Sequence, residues 1–193
     1  MPRGADTKQR ITDGALKLFA ERGVEATAMR DIAAAASITE PAVYRHFKSK
    51  DDLVWQIFWS GYRSLGENLQ RAQAAEPRLR PRLAAMIAAI CRLFDEDTPR
   101  FRFLLLTQHG QLGKITEREK GPVQVLHDQL AAAIATGELP QQDSELATSA
   151  VFGIVLQAAT FKVYGRLKKP LTAYAPQLAA ACWAALHPQP IEA

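Results

Sequence analysis

The side chains best suited to chemistry in this 193-residue chain crowd a short stretch between Thr27 and Lys50. On a helix opening at Thr39, the outward positions would be Thr39, Glu40, Ala42, Tyr44, Arg45 and His46, small near the start and polar or cationic beyond. Small side chains let a backbone approach base edges, whereas longer polar ones reach phosphates. Lys50 adds a cation at the start of the next helix, a position suited to a phosphate. Catalytic chemistry has no comparable cluster. His46, His109, His127 and His187 are scattered, and no nucleophile motif, glycine-rich phosphate loop or His/Glu metal spacing occurs. Asp95-Glu96-Asp97 reads as a solvated helix end, and the chain is read as a non-enzyme that needs no metal and no cofactor.

The elements that must position this stretch are helical. Ile11, Gly14, Ala15, Leu18 and Phe19 follow the spacing of a helix with one buried face, capped by Asp6 with Gln9 and stopped by Gly23. A second helix from Ala28 to Ala36 would be capped by Thr27, with Met29, Ile32, Ala33 and Ala36 inward. Ser37 and Ile38 make a tight connection. A third helix, Glu40 to Phe47, carries Pro41 in its first turn and Val43 and Phe47 on its inner face. Two short helices joined by such a turn, with a helix behind them, can push one helix end into a major groove about 12 Å wide.

Ser49 caps a long fourth helix running to about Ala74. Apolar spacing then predicts helices around Leu83 to Phe94, Pro99 to His109, Val123 to Ile134, Asp143 or Ser144 to Arg166, and Leu178 to Leu186. Gly110 to Gly121 is expected to be a mobile loop. About nine helices and no strand make the fold class all-α, divided into a module over residues 1–50 and a larger helical domain over 51–193.

Composition agrees without deciding the matter. Nearly half the residues are apolar (48%), and a net charge of +4 permits a nucleic-acid partner but does not require one. Cys91 and Cys182 lie far apart in apolar helical patterns and are read as buried, reduced thiols. Met1 to Arg10 lacks the apolar core of a secretory signal, so the chain is expected to stay in the cytoplasm. Ala150 to Tyr164 is interrupted by Gln157, Thr160 and Lys162, so no membrane partner is expected.

The run Ala26-Thr-Ala-Met-Arg-Asp-Ile-Ala-Ala-Ala-Ala-Ser-Ile-Thr-Glu-Pro-Ala-Val-Tyr-Arg-His-Phe-Lys-Ser-Lys-Asp-Asp-Leu53 resembles the TetR family of bacterial transcriptional regulators. Its most specific part is Tyr44-Arg45-His46-Phe47 followed by Lys50, and Leu18-Phe19 and Gly23 extend the likeness backward. The resemblance implies a helix-turn-helix whose third helix enters the major groove of a double-stranded DNA operator, with Arg30 near a base and Thr27 beside the DNA. It further implies that Thr39, Tyr44, His46 and Lys50 grip phosphates while Glu40, Pro41, Ala42 and Arg45 lie nearest base edges. The sequence departs from the family where Ser or Thr is usual at Ala28 and where glycine is usual at Ser37 and Pro41. By that likeness the departures are expected to cost the second helix a phosphate contact and to stiffen the turn.

The remaining three-quarters suggests a second role. The eighth helix is apolar around most of its circumference and must be covered on more than one side. A homodimer built on Val151, Val155, Ala159, Leu178, Cys182 and Leu186 would cover it and would match a near-palindromic operator. By the resemblance, Phe58, Trp59, Tyr62, Phe94, Phe101, Phe103, His109, Phe152, Gln157 and Phe161 would line a pocket for a small, mostly apolar effector. Expected, then, is a ligand-responsive repressor. The alternative is a helical ligand-binding or interaction protein that no longer binds DNA.

Overall fold

The computed structural model describes residues 3–115 and 121–187. Among these residues there are nine α-helices and no strand: α1 Arg3–Arg22, α2 Met29–Ala35, α3 Glu40–Tyr44, α4 Lys50–Gln73, α5 Leu79–Glu96, α6 Thr98–Gln111, α7 Pro122–Ala135, α8 Ser144–Val163 and α9 Ala175–Ala185. Short 3-10 turns occupy Leu112–Lys114 and Leu171–Tyr174. The expected loop over Gly110 to Gly121 is only partly one: α6 continues through Gln111 and the 3-10 turn follows, while residues 116–120 lie outside the described residues.

The chain forms two compact units, and the division is not at residue 50. One unit takes the chain as far as Gly61 together with Pro99–Ile115; the other takes Tyr62–Thr98 and the chain beyond Ile115. Chain order hides this because a segment a hundred residues on joins the N-terminal helices.

In the first unit α1 buries Ile11, Ala15 and Phe19, as its spacing predicts, and Leu16 as well, while Gly14 and Leu18 are half-buried. It starts at Arg3, leaving Asp6 in its first turn rather than at a cap, while the Gln9 amide donates to Asp13 at 2.8 Å. Gly23 ends the helix at φ +85°, its N–H donating to the Phe19 carbonyl at 3.0 Å. Gly14 lets α1 approach α2, since a Cβ there would stand 3.2 Å from the Ala35 Cβ. The Arg10 guanidinium crosses the same seam to donate to the Ala36 carbonyl. Ser49 accepts from the Asp52 N–H at 3.1 Å and Asp52 returns the bond to the Lys48 N–H at 2.8 Å, closing the start of α4. A hydrogen bond from Gln56, then the one from Lys48, holds the Asp52 carboxyl below its usual range.

In the second unit α5 buries Leu83, Met86, Ile87, Ile90, Cys91 and Phe94. It packs chiefly on α9, while α8 packs on α7 and α9. Asp143 caps α8 through the Leu146 N–H at 2.9 Å, and Gly137 at φ +77° follows α7. Asp95 is not a solvated helix end. Its carboxylate accepts from the Leu171 N–H and the Thr172 N–H at 2.9 Å each and from the Thr172 hydroxyl at 2.8 Å. Burial pushes this carboxyl upward, but those bonds outweigh it and keep it below the ordinary range.

Cys91 and Cys182 are free and fully buried, and burial raises both thiols to about 11. By length and composition α8 could cross a membrane, with a mean hydropathy of 1.5. Its apolarity is explained on one side by the packing of Val151, Val155 and Ala159 inside the unit.

Candidate nucleic-acid interface

Local sequence holds the α2–α3 pair in place from within. Met29, Ile32 and Ala33 on α2, Ala36 at its C-cap, Val43 on α3 and Phe47 beyond it are all buried, so both short helices are clamped by one apolar seam. A five-residue helix has almost no stability of its own, and that seam supplies it. The connection between them needs a left-handed residue. Ser37 takes it at φ +54°, the one non-glycine residue with positive φ among the described residues. Its N–H donates to the Ala34 carbonyl at 3.0 Å, and Ile38 returns to Ala33 at 3.0 Å.

Burying Val43 turns the expected set outward. Thr39, Glu40, Pro41, Tyr44 and Arg45 are exposed, and Ala42 and His46 are half-buried. Thr39 occupies the N-cap position of α3 but makes no side-chain bond to it, leaving the hydroxyl on the outer surface. Arg30 projects from α2 with 81% of its side chain exposed, near Asp31 at 4.0 Å. Asp31 is chiefly engaged elsewhere: it meets Arg22 at 2.9 Å and accepts from the Ala28 N–H at 3.0 Å. An outer face of hydroxyls, cations and one carboxylate over a dry seam can address phosphates and base edges together.

Two residues sit differently from expectation. Thr27 is neither the α2 cap, which is Ala28, nor on the surface; it is 1% exposed and its hydroxyl donates to the Gly23 carbonyl at 2.7 Å. It secures the turn after α1 and presents nothing to a partner. Lys50 is half-buried, its ammonium donating to the Val24 carbonyl at 3.1 Å, so a phosphate would share a cation already used to brace that turn. Sequence reasoning passed over Lys48, an exposed cation beside Phe47. Its place in the Lys48-Ser49-Lys50 run was the available signal.

The expected effector-site residues divide between the units. Phe58, Trp59, Phe101, Phe103 and His109 belong to the first, and Tyr62, Phe94, Phe152, Gln157 and Phe161 to the second. Phe58, Phe94, Phe101 and Phe103 are buried, with Phe103 stacked on Phe19 at 5.5 Å between centroids, whereas His109, Gln157 and Phe161 are exposed. Tyr62 lies against Gly121, where an added Cβ would stand 1.9 Å from the ring.

The expected dimer set is corrected in a similar way. Val151, Val155, Ala159, Cys182 and Leu186 are each at most 2% exposed within the single chain, and Leu178 is half-buried. They form the seam by which α8 and α9 pack on their own unit. Left open on α8 are Leu146 (69% exposed) and Phe161 (42%), and just past its end Tyr164 (64%).

Comparison with known proteins bears on the first unit most directly. The profile of the bacterial regulatory proteins, tetR family, matches residues 11–57, which span the helix-turn-helix and its buttress. The probable HTH-type transcriptional regulator ArpR of Pseudomonas putida is 30% identical over 163 residues, covering 78% of this chain and 77% of that protein. The HTH-type transcriptional regulator AcrR of Shigella flexneri is 42% identical over 72 residues, 37% of this chain but only 34% of its own length. In fold, the chain is similar to the transcriptional regulator FadR from Bacillus subtilis in complex with stearoyl-CoA. The TM-score is 0.79 at 23% identity, covering 93% of this chain and 99% of that one. An apolar seam under a polar outer face, a match across residues 11–57 and a relative aligned over most of its length lead to one conclusion: the chain belongs to the tetR family, as a transcriptional regulator with a DNA-binding domain.

Proposed function

We propose that this regulator acts as a homodimer on a near-palindromic double-stranded operator, as a cytoplasmic repressor that a small, mostly apolar effector releases. The observation that carries the DNA part is the outer face of α3, where Thr39, Glu40, Tyr44 and Arg45 are exposed together while Val43 and Phe47 hold the backbone from below. Arg30 adds a cation on the neighbouring helix. Glu40, Pro41, Ala42 and Arg45 are assigned to base edges, and Thr39, Tyr44, His46 and Lys50 to phosphates.

Dimerisation is supported by the apolar side chains left uncovered on and just beyond α8, Leu146, Phe161 and Tyr164. A second copy covers such a face with the same face, and two-fold pairing presents two reading heads to two half-sites about 34–36 Å apart. Regulation follows from linkage: an effector that prefers an arrangement with misplaced reading heads lowers the DNA-competent population in proportion to its preference. Helix α4 runs through the boundary at Gly61–Tyr62 and is the covalent route for that coupling. The FadR relative in fold was solved with stearoyl-CoA, which supports an effector with substantial apolar surface.

The test is an electrophoretic shift with the DNA flanking the protein's own gene. Wild type retards it, and Tyr44→Ala and Lys50→Ala each weaken retardation about tenfold or more, the loss of one or two good contacts. Retardation indifferent to both substitutions would remove α3 from the groove.

A further inference from the structure

Within the first unit a half-open cavity of about 490 Å³ lies beside the turn that joins α1 to α2. Its walls include the stacked Phe19–Phe103 pair, Val54 from α4 and Leu106 from α6. Arg102, from the same helix as Phe103, also lines it, and the Arg102 Nε is buried without a hydrogen-bond partner among the described residues. A buried N–H of a permanently charged group is costly to leave unmade, so an unused one on a residue that lines an apolar-walled space marks where an acceptor belongs.

The acceptor's charge is set by a second lining residue. Glu25, an exposed carboxylate residue, lines the same cavity, while Arg22 is already paired with Asp31 at 2.9 Å. A dianionic phosphate would be repelled by Glu25 more than a single carboxylate would. The guanidinium fork matches a carboxylate's two oxygens. The volume falls within the range of small-molecule sites, and the walls are mostly hydrocarbon.

We infer that this cavity binds a small amphipathic monocarboxylate, its apolar body against Phe19, Val54 and Phe103 and its carboxylate on Arg102. The site reaches beyond the proposed function, which leaves the effector unplaced, and it sits against the reading head itself. Val24 lines the cavity and its carbonyl accepts from Lys50. An occupant therefore touches the turn that Lys50 braces, and binding there biases the arrangement of the DNA-contacting residues.

Isothermal titration of the full chain without DNA, using decanoate below its micellar concentration as the probe, tests this. Expected is saturable binding of one decanoate per chain, weakened at least tenfold in Arg102→Gln and at least tenfold for decan-1-ol, which keeps the tail and loses the charge. Leu106→Trp, at a half-exposed position, fills the cavity and abolishes the heat with the melting curve unchanged, which keeps the test decisive if Arg102→Gln folds poorly. Absence of binding, equal binding to Arg102→Gln or Leu106→Trp, or equal affinity for decan-1-ol overturns the proposal. Tighter binding of decyl phosphate than of decanoate overturns its monoanion selectivity. Because DNA is absent from the cell, none of these failures touches the operator reading, which stands or falls on the electrophoretic shift.

Discussion

The α2–α3 pair and the α8–α9 pair bury their inner faces in the same way and present opposite outer ones. Helix α3 has five residues, hides Val43 completely and shows Thr39, Glu40, Tyr44 and Arg45. Helix α8 has twenty, hides Val151, Val155 and Ala159 and still leaves Leu146 and Phe161 in the open. A polar face over a dry seam suits a charged, hydrated partner. An apolar face over a dry seam suits one that can be desolvated, such as a second copy of the chain. The difference lies in what surrounds each seam, since each has a buried apolar interior.

The sharpest way to break the contrast is to charge the apolar face. Leu146→Glu combined with Phe161→Glu should convert a dimer to a monomer by light scattering, weakening association about a hundredfold or more, while both sites are exposed enough to leave the melting temperature nearly unchanged. A dimer mass unaffected by two buried charges would mean that another surface pairs the subunits.

A smaller effect probes the scaffold behind that face. Asp95→Ala removes the acceptor for three donors at residues 171 and 172 and should cost about 1–2 kcal/mol by denaturant titration. The sign in pH follows from the lowered carboxyl. The folded state binds the proton more weakly than the unfolded chain, so the contribution is fully present above the ordinary carboxylate value of 3.8 and is lost as pH falls through the lower folded value. Wild type and Asp95→Ala should therefore converge in stability below about pH 4. A gap that stays constant as pH falls well below 3.8 would assign the loss to packing.

The smallest effect acts on the reading head. Ser37→Gly relieves a left-handed serine and should stabilise the protein by about 0.5–1 kcal/mol, the steric gain exceeding the extra chain entropy of glycine. A loss of stability would show that the serine side chain makes up for its conformation.

These residues also show how far the sequence could be read. Val43 and Phe47, four apart, identify the inner face of α3 from local spacing alone, and everything outward follows once they are placed. Periodicity equally marked Val151, Val155, Cys182 and Leu186 as a face needing cover. It could not say whether the cover is another helix of the same chain or another copy, and the structure supplies the former. Asp95 was misread because its donors stand 76 and 77 residues away. Arg102 carried no signal at all, since a guanidinium in a helical pattern reads as solvated until the segment Pro99–Ile115 is seen to join the first unit. Thr27 was placed one residue off as the α2 cap, and burial removed it from the surface.

The proposed contact between the outer face of α3 and DNA is read most sharply at Arg45, which is exposed and lies just past the helix end, away from the buried seam. Fluorescence anisotropy with the DNA flanking the gene should show Arg45→Ala binding roughly tenfold or more weaker, about 1–3 kcal/mol, with an unchanged melting curve. Equal affinity for wild type and Arg45→Ala, at equal stability, would take Arg45 and the outer face of α3 away from the DNA.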